Sequence, residues 1–158
     1  MRKNKLYDAS FGALAGAMYV VLTLVSSAFG LSNGFIQLRL SEALCILPVF
    51  SVSAVPGLCI GCILANLFTG CAVWDVVFGS AATLIGAVGT RLLKKHRFLR
   101  MLPPIASNTV IVPLVLKSVY RIDGALWMIF LSVFIGEFIS CGIFGELLFK
   151  PLAKYIKK

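Results

Sequence analysis

The 158-residue chain is 59% hydrophobic and only 13% charged, with a mean hydropathy of +0.98. Soluble domains hold roughly 45–50% apolar and about 25% charged residues, so an ordinary water-soluble domain is excluded. The formal charge of +9 raises the case of a nucleic-acid partner. Its cations, however, fall in short clusters between apolar runs, the pattern of cytoplasmic loops under the positive-inside rule.

No Asp, Glu, Lys or Arg lies between Asp8 and Arg39, Glu42 and Asp75, Asp75 and Arg91, or Arg100 and Lys117. About 20 residues of apolar helix cross a bilayer core, so the chain reads as one all-α integral membrane domain over residues 1–158, a six-transmembrane-helix bundle. The first helix is expected over about 9–30. Arg2, Lys3 and Lys5 before it resemble the start of a signal peptide, but the apolar run is too long and lacks a clear cleavage site. A second, over about 41–52, is interrupted by Pro48 and spans only ~18 Å at 1.5 Å per residue. It is either a short tilted helix or a re-entrant one buried in protein. Further helices are expected over about 56–72, 75–93, 103–118 and 125–149, with Asp75 an N-cap.

Six crossings put both termini on one side. Arg2, Lys3 and Lys5, the Arg91–Arg100 loop with Lys94, Lys95 and Arg97, and Lys150, Lys154, Lys157 and Lys158 place twelve cations there, against Arg39, Lys117 and Arg121 opposite. Both termini are therefore read as cytoplasmic.

Polar residues inside the spans carry the functional signal. Glu137 stands in the middle of the sixth helix, where a charge costs roughly 2.5–3.5 kcal/mol on insertion scales. It is either a functional group or a carboxyl neutralised within the bundle. Glu146, nearer the cytoplasmic end, is read as pairing with Lys150 at i+4. Asn66, Asn108 and Glu137 are expected ~9, ~14 and ~18 Å below the outer surface. Such side chains either bond to each other as interhelical glue or line an outward pocket. Arg39 and Glu42 enter the second helix from the outer side, as a mutual pair or as ligand contacts, the arginine fork suiting planar hydrogen-bonding ligands. Trp74 and Asp75 open the fourth helix at the same face, Trp74 as a ligand contact or an interfacial belt residue.

Ala9, Ala13 and Ala17, flanked by Gly12 and Gly16, form a small-residue stripe of the kind that lets helices approach closely, and Gly57 and Gly61 form a weaker one. Cys45, Cys59, Cys62, Cys71 and Cys141 read as small apolar residues of packed helices. His96 lies in the basic loop, which argues against a histidine-based hydrolase or metal site. No phosphate-binding P-loop occurs, so transport energy would have to come from partners.

The run Arg39-Leu40-Ser41-Glu42-Ala43-Leu44 with Leu47-Pro48, the Gly61 to Ala65-Asn66 stretch, and Asp75-Val76-Val77-Phe78-Gly79-Ser80 through Thr83-Leu84 resemble the QueT family. Asn108 and Gly136-Glu137 fit it as well. The resemblance covers nearly the whole chain in the expected order. It implies the substrate-binding S component of an energy-coupling factor (ECF) transporter, a six-helix bundle with an outward-facing pocket for a queuosine precursor or queuine, both 7-deazaguanines. It further implies docking through Ala9, Ala13 and Ala17 onto a transmembrane coupling subunit joined to two cytoplasmic ATPases, in a bacterial plasma membrane. On this reading the substrate-binding residues are Arg39, Glu42, Asn66, Trp74, Asp75, Asn108 and Glu137. Neither catalytic residue, cofactor, metal nor nucleic-acid partner is expected. An S component for a different vitamin is the alternative, and a membrane-embedded enzyme or structural subunit a more distant one.

Overall fold

The computed structural model describes residues 5–31, 37–121 and 125–156. Arg2, Lys3, Lys157 and Lys158, counted among the basic residues above, lie outside them. Among the described residues the fold is helical, without strands. Helix α1 (Lys5–Ala28) is followed by a 3-10 helix (Leu40–Val49), α2 (Ala54–Phe68) and α3 (Val73–Leu92). A 3-10 turn (Leu99–Met101) leads into α4 (Leu102–Ser118). Then α5 (Leu126–Glu137), a π-helical stretch (Phe138–Phe144) and α6 (Gly145–Ile156) follow without a break.

Four helical stretches are long and apolar enough to cross a membrane: Lys5–Ala28, Val73–Leu92, Leu99–Ser118 and Leu126–Tyr155. Leu40–Val49 and Ala54–Phe68 are apolar but shorter. The second segment ends at Val49 rather than Val52 and is wound more tightly than an α-helix. At ~2.0 Å per residue, its ten residues reach ~20 Å, against ~15 Å for an α-helix of equal length. α2 starts two residues before Pro56 and stops at Phe68, short of the expected Ala72. Gly70 explains the stop: its φ of +70° is the left-handed conformation that closes a helix, and Cys71 N–H bonds back to Asn66 O at 3.0 Å. The last helix runs past Phe149 to Ile156.

Two local expectations are corrected. Asp75 is not the N-cap of α3. That position is Ala72, and Asp75 lies in the first turn, where its charge suits the helix dipole. Glu146 pairs not with Lys150 but with Arg97 at 2.8 Å and Arg100 at 2.7 Å, since the loop before α4 folds back onto α6.

The segments alternate in direction. At one end Ser51 Oγ donates to Asp8 (3.2 Å), Arg91 donates to the carbonyls of Pro48 and Val49, and Phe50 stacks on Phe149. At the other end Tyr120 meets Ala72 and Asp75, and Leu40 N–H donates to Ser26 Oγ. Lys94, Lys95, Arg97, Arg100 and Lys150 gather at the first, basic end.

Close packing of α1 on α2 requires glycine. A Cβ on Gly57 would lie 2.1 Å from Gly12 O, and one on Gly61 2.7 Å from Gly16 O, so the two backbones touch. The buried core includes Ala15, Tyr19, Leu44, Leu58, Cys62, Ala65, Ile105 and Cys141. Large apolar side chains such as Leu14, Val21, Leu64, Val77 and Phe134 point outward, as suits a bundle solvated by lipid.

Candidate functional site

Most of the polar residues singled out in the sequence gather in the interior of the bundle, Trp74 excepted. α1 contributes Tyr19 and Thr23, on the same face as Gly12, Gly16 and Ser26 and fully turned inward. The 3-10 helix is buried from Ser41 to Pro48 and brings in Glu42, 1% exposed. Tyr19 donates its hydroxyl to Glu42, and Cys45 Sγ reaches the other oxygen of that carboxylate at 3.2 Å. Thr23 Oγ1 donates to Ser41 Oγ at 2.9 Å, tying the same two segments together.

The π-helical stretch continues the network. One extra residue in the turn widens the helix there, a feature that recurs at functional sites. It sets Cys141 Sγ 3.5 Å from Glu137 Oε2 and 3.2 Å from the Glu42 carbonyl oxygen. Glu137 is 5% exposed and has Asn108 of α4 beside it. Asn108 Nδ2 is buried without a hydrogen-bond partner, as is Ser140 Oγ. Gly136 makes room for the chain ahead of the 3-10 helix: a Cβ there would lie 2.0 Å from Gln37 O.

Above this buried layer lies a cavity of about 430 Å³ at the non-basic end, lined by Thr23, Ser27, Gln37, Arg39, Thr69, Gly70, Cys71, Asp75, Val112, Leu116 and Tyr120. Among the described residues Arg39 is its one cation and Asp75 its one carboxylate. Arg39 donates through Nη2 to Asn66 Oδ1, and Asn66 Nδ2 approaches the Asp75 carbonyl oxygen at 3.4 Å. Tyr120 donates to Asp75 Oδ2 at 3.3 Å and accepts from Ala72 N–H at 3.0 Å. Desolvation at the cavity mouth raises the Tyr120 phenol above its ordinary value, so it remains a donor at neutral pH.

The expected residues thus divide into three groups. Arg39 and Asp75 line the cavity. Asn66, Glu42, Asn108 and Glu137 lie buried beneath it and do not line it. Trp74 stands apart, 58% exposed and stacked on Phe78.

Tyr19, Tyr120 and three cysteines join the site without having been singled out. Thr83 Oγ1 donates to Cys62 Sγ at 3.4 Å, while Cys45 and Cys141 meet the Glu42 and Glu137 carboxylates. Glu42, Cys45 and Cys141 each offer a donor atom, all within 4.8 Å of one another. The space beside the two thiols has no room for a water molecule, and each donor is already hydrogen-bonded. This arrangement is a packed interior, not a prepared metal cage.

Ala9, Ala13 and Ala17 are exposed. They edge an apolar groove of about 490 Å³ whose floor is the α1–α2 glycine seam. The stripe therefore has two sides, with Gly12 and Gly16 turned inward and the alanines outward.

An apolar helical bundle with a polar cavity at one end has the architecture of a membrane protein able to hold a small polar molecule. The QueT transporter family model matches residues 10–154, and the chain belongs to that family. Among curated proteins, the "Queuosine precursor transporter QueT" of Lactococcus lactis subsp. cremoris (strain MG1363) is 35% identical over 85 residues, 54% of this chain. The match spans about half, 50%, of that relative's own length. No solved structure matches.

Proposed function

We propose that this chain is the substrate-binding S component of an ECF-type uptake transporter and binds a 7-deazaguanine, queuine or a queuosine precursor, between the cavity lined by Arg39 and Asp75 and the buried polar layer beneath it, which opens to admit the ring. The observation that carries the reading is the continuous polar network from that cavity into the middle of an otherwise apolar bundle. Buried polar groups in a membrane are costly, and their default meaning is a substrate path.

The chemistry fits a guanine-like ring. Its adjacent N–H and NH2 donors suit a carboxylate, which accepts both. Glu137 is assigned that role, with Glu42 held behind it by Tyr19. Arg39 donates to the ring carbonyl once its bond to Asn66 yields to ligand. Asn66 and Asn108 give and accept on the same ring, Asn108 from its place beside Glu137. Glu42, Glu137 and Asp75 outnumber Arg39 in and below the cavity, and a buried excess of negative charge calls for a proton or a cation. The cationic arm of an aminomethyl precursor, set against Asp75, supplies one. Trp74 takes the ligand's outer face on entry.

On this reading all six helical segments cross a bacterial plasma membrane, with the basic end and both termini in the cytoplasm. Ala9, Ala13 and Ala17 dock on a transmembrane coupling subunit, and two cytoplasmic ATPases supply the energy. The test is a thermal-shift screen of the purified chain against queuine, its aminomethyl and cyano precursors, riboflavin, thiamine and biotin. Stabilisation by a deazaguanine alone supports the assignment. Stabilisation by one of the vitamins alone replaces the ligand.

A further inference from the structure

We propose that the cavity at the basic end is a binding site for the phosphodiester headgroup of an anionic phospholipid. It encloses about 710 Å³ between the loop before α4, the end of the 3-10 helix and α6. Among the described residues, Lys94, Lys95, Arg97, Arg100 and Lys150 line it against a single carboxylate, Glu146. That carboxylate is already spent on Arg97 and Arg100. Lys94, Lys95 and Lys150 have no ion pair among the described residues, so the cavity holds a net excess of positive charge.

The site is built rather than a loose surface cluster. Arg100 is 4% exposed, its guanidinium carbon lies 3.6 Å from the centre of the Phe149 ring, and its Nε is buried without a hydrogen-bond partner. Held by Glu146 and the Phe149 ring, Arg100 is a fixed positive floor for the cavity, and the exposed Lys94, Lys95 and Lys150 around it supply the charge and donors that a phosphate group takes.

The surroundings select a lipid over a free anion. Phe50 and Phe149, stacked at 5.2 Å, make part of the cavity wall apolar. Phe98 and Leu102 of the adjoining loop and helix are strongly exposed, offering acyl chains a surface beside the headgroup. Basic pockets between membrane helices attract anionic headgroups in this way. The proposal requires only that the bundle lies in a membrane, and it is independent of the transported ligand.

The test is native mass spectrometry of the full chain in detergent, titrated with phosphatidylglycerol, with phosphatidylcholine of the same acyl chains, with inorganic phosphate and with an oligoglutamate peptide. The comparison protein carries Lys94→Gln, Lys95→Gln and Lys150→Gln, three exposed changes that leave the packed Arg100–Glu146 pair intact. Phosphatidylglycerol should bind the unaltered chain preferentially, and the triple variant should bind it about 100-fold more weakly. Equal binding of phosphatidylcholine, unchanged binding by the triple variant, or displacement of the lipid by equimolar phosphate would each overturn the proposal. Tighter binding of the acidic peptide would assign the cavity to a protein partner instead.

Discussion

Tyr19 and Glu42 show how individual residues hold the buried site together. The Glu42 carboxylate is taken out of solvent and survives there because a phenol and a thiol donate to it. Tyr19→Phe removes one donor and leaves the acceptor buried, which should cost about 1–3 kcal/mol. Thermal melts of the ligand-free protein will measure the loss. Ser140→Ala is the opposite case. Its hydroxyl is buried and unpaired, so its removal should leave the melt unchanged or raise it slightly.

Arg39, Asn66, Asn108 and Glu137 were legible in the sequence because a strongly polar side chain inside an apolar run is conspicuous and needs a reason. Tyr19 and the cysteines were not, since both types are ordinary in apolar helices and contribute their polar atoms only when a partner arrives. The spacing of Tyr19 from Gly12, Gly16, Thr23 and Ser26 was the signal available. Glu146 misled for a different reason. Lys150 sits at the favoured i+4 spacing, but Arg97 and Arg100 reach Glu146 across 49 and 46 residues of chain, which no local pattern contains.

Among the elements, the two irregular helices do the positioning. The 3-10 helix buries Glu42 in its first turn, three residues after Arg39 at the cavity, and the π-helical stretch turns Cys141 toward Glu42 and Glu137. Neither winding has a hydrophobic period that distinguishes it from an α-helix over so few residues, which is why the sequence located the short second segment without its form and ran the sixth helix straight through the π-helical stretch. Small-residue spacing was informative about contact but silent about direction. The glycines face α2 and the alanines face out, a division decided only when α2 packs.

That division gives a paired test. A side chain at Gly57 must displace the Gly12 backbone, so Gly57→Ala should destabilise by about 1–3 kcal/mol in the melt. The double change Ala13→Trp with Ala17→Trp projects outward from the groove. It should leave folding and ligand binding intact and abolish co-purification with the coupling subunit. Loss of ligand binding with assembly preserved would show that the alanines serve the bundle.

The molecule is polarised along its axis, with most of its described cations at one end and the Arg39–Asp75 cavity at the other. An impermeant thiol reagent applied to intact cells should therefore miss Lys150→Cys and label Ser118→Cys, in a background without the native cysteines. Labelling of Lys150→Cys from outside would invert the topology.

The central claim is that a deazaguanine is held through the buried carboxylate of Glu137, and calorimetry on three proteins tests it most directly: the unaltered chain, Glu137→Gln and Asp8→Asn. Asp8 lies at the basic end and bonds Ser51, so its change controls for the loss of a carboxylate far from the cavity. A hydrogen bond to a charged group contributes roughly 1.5–3 kcal/mol, so Glu137→Gln should weaken queuine binding about 10- to 100-fold while Asp8→Asn binds as the unaltered chain does. Equal affinity of Glu137→Gln and the unaltered chain would contradict the account and remove Glu137 from the site.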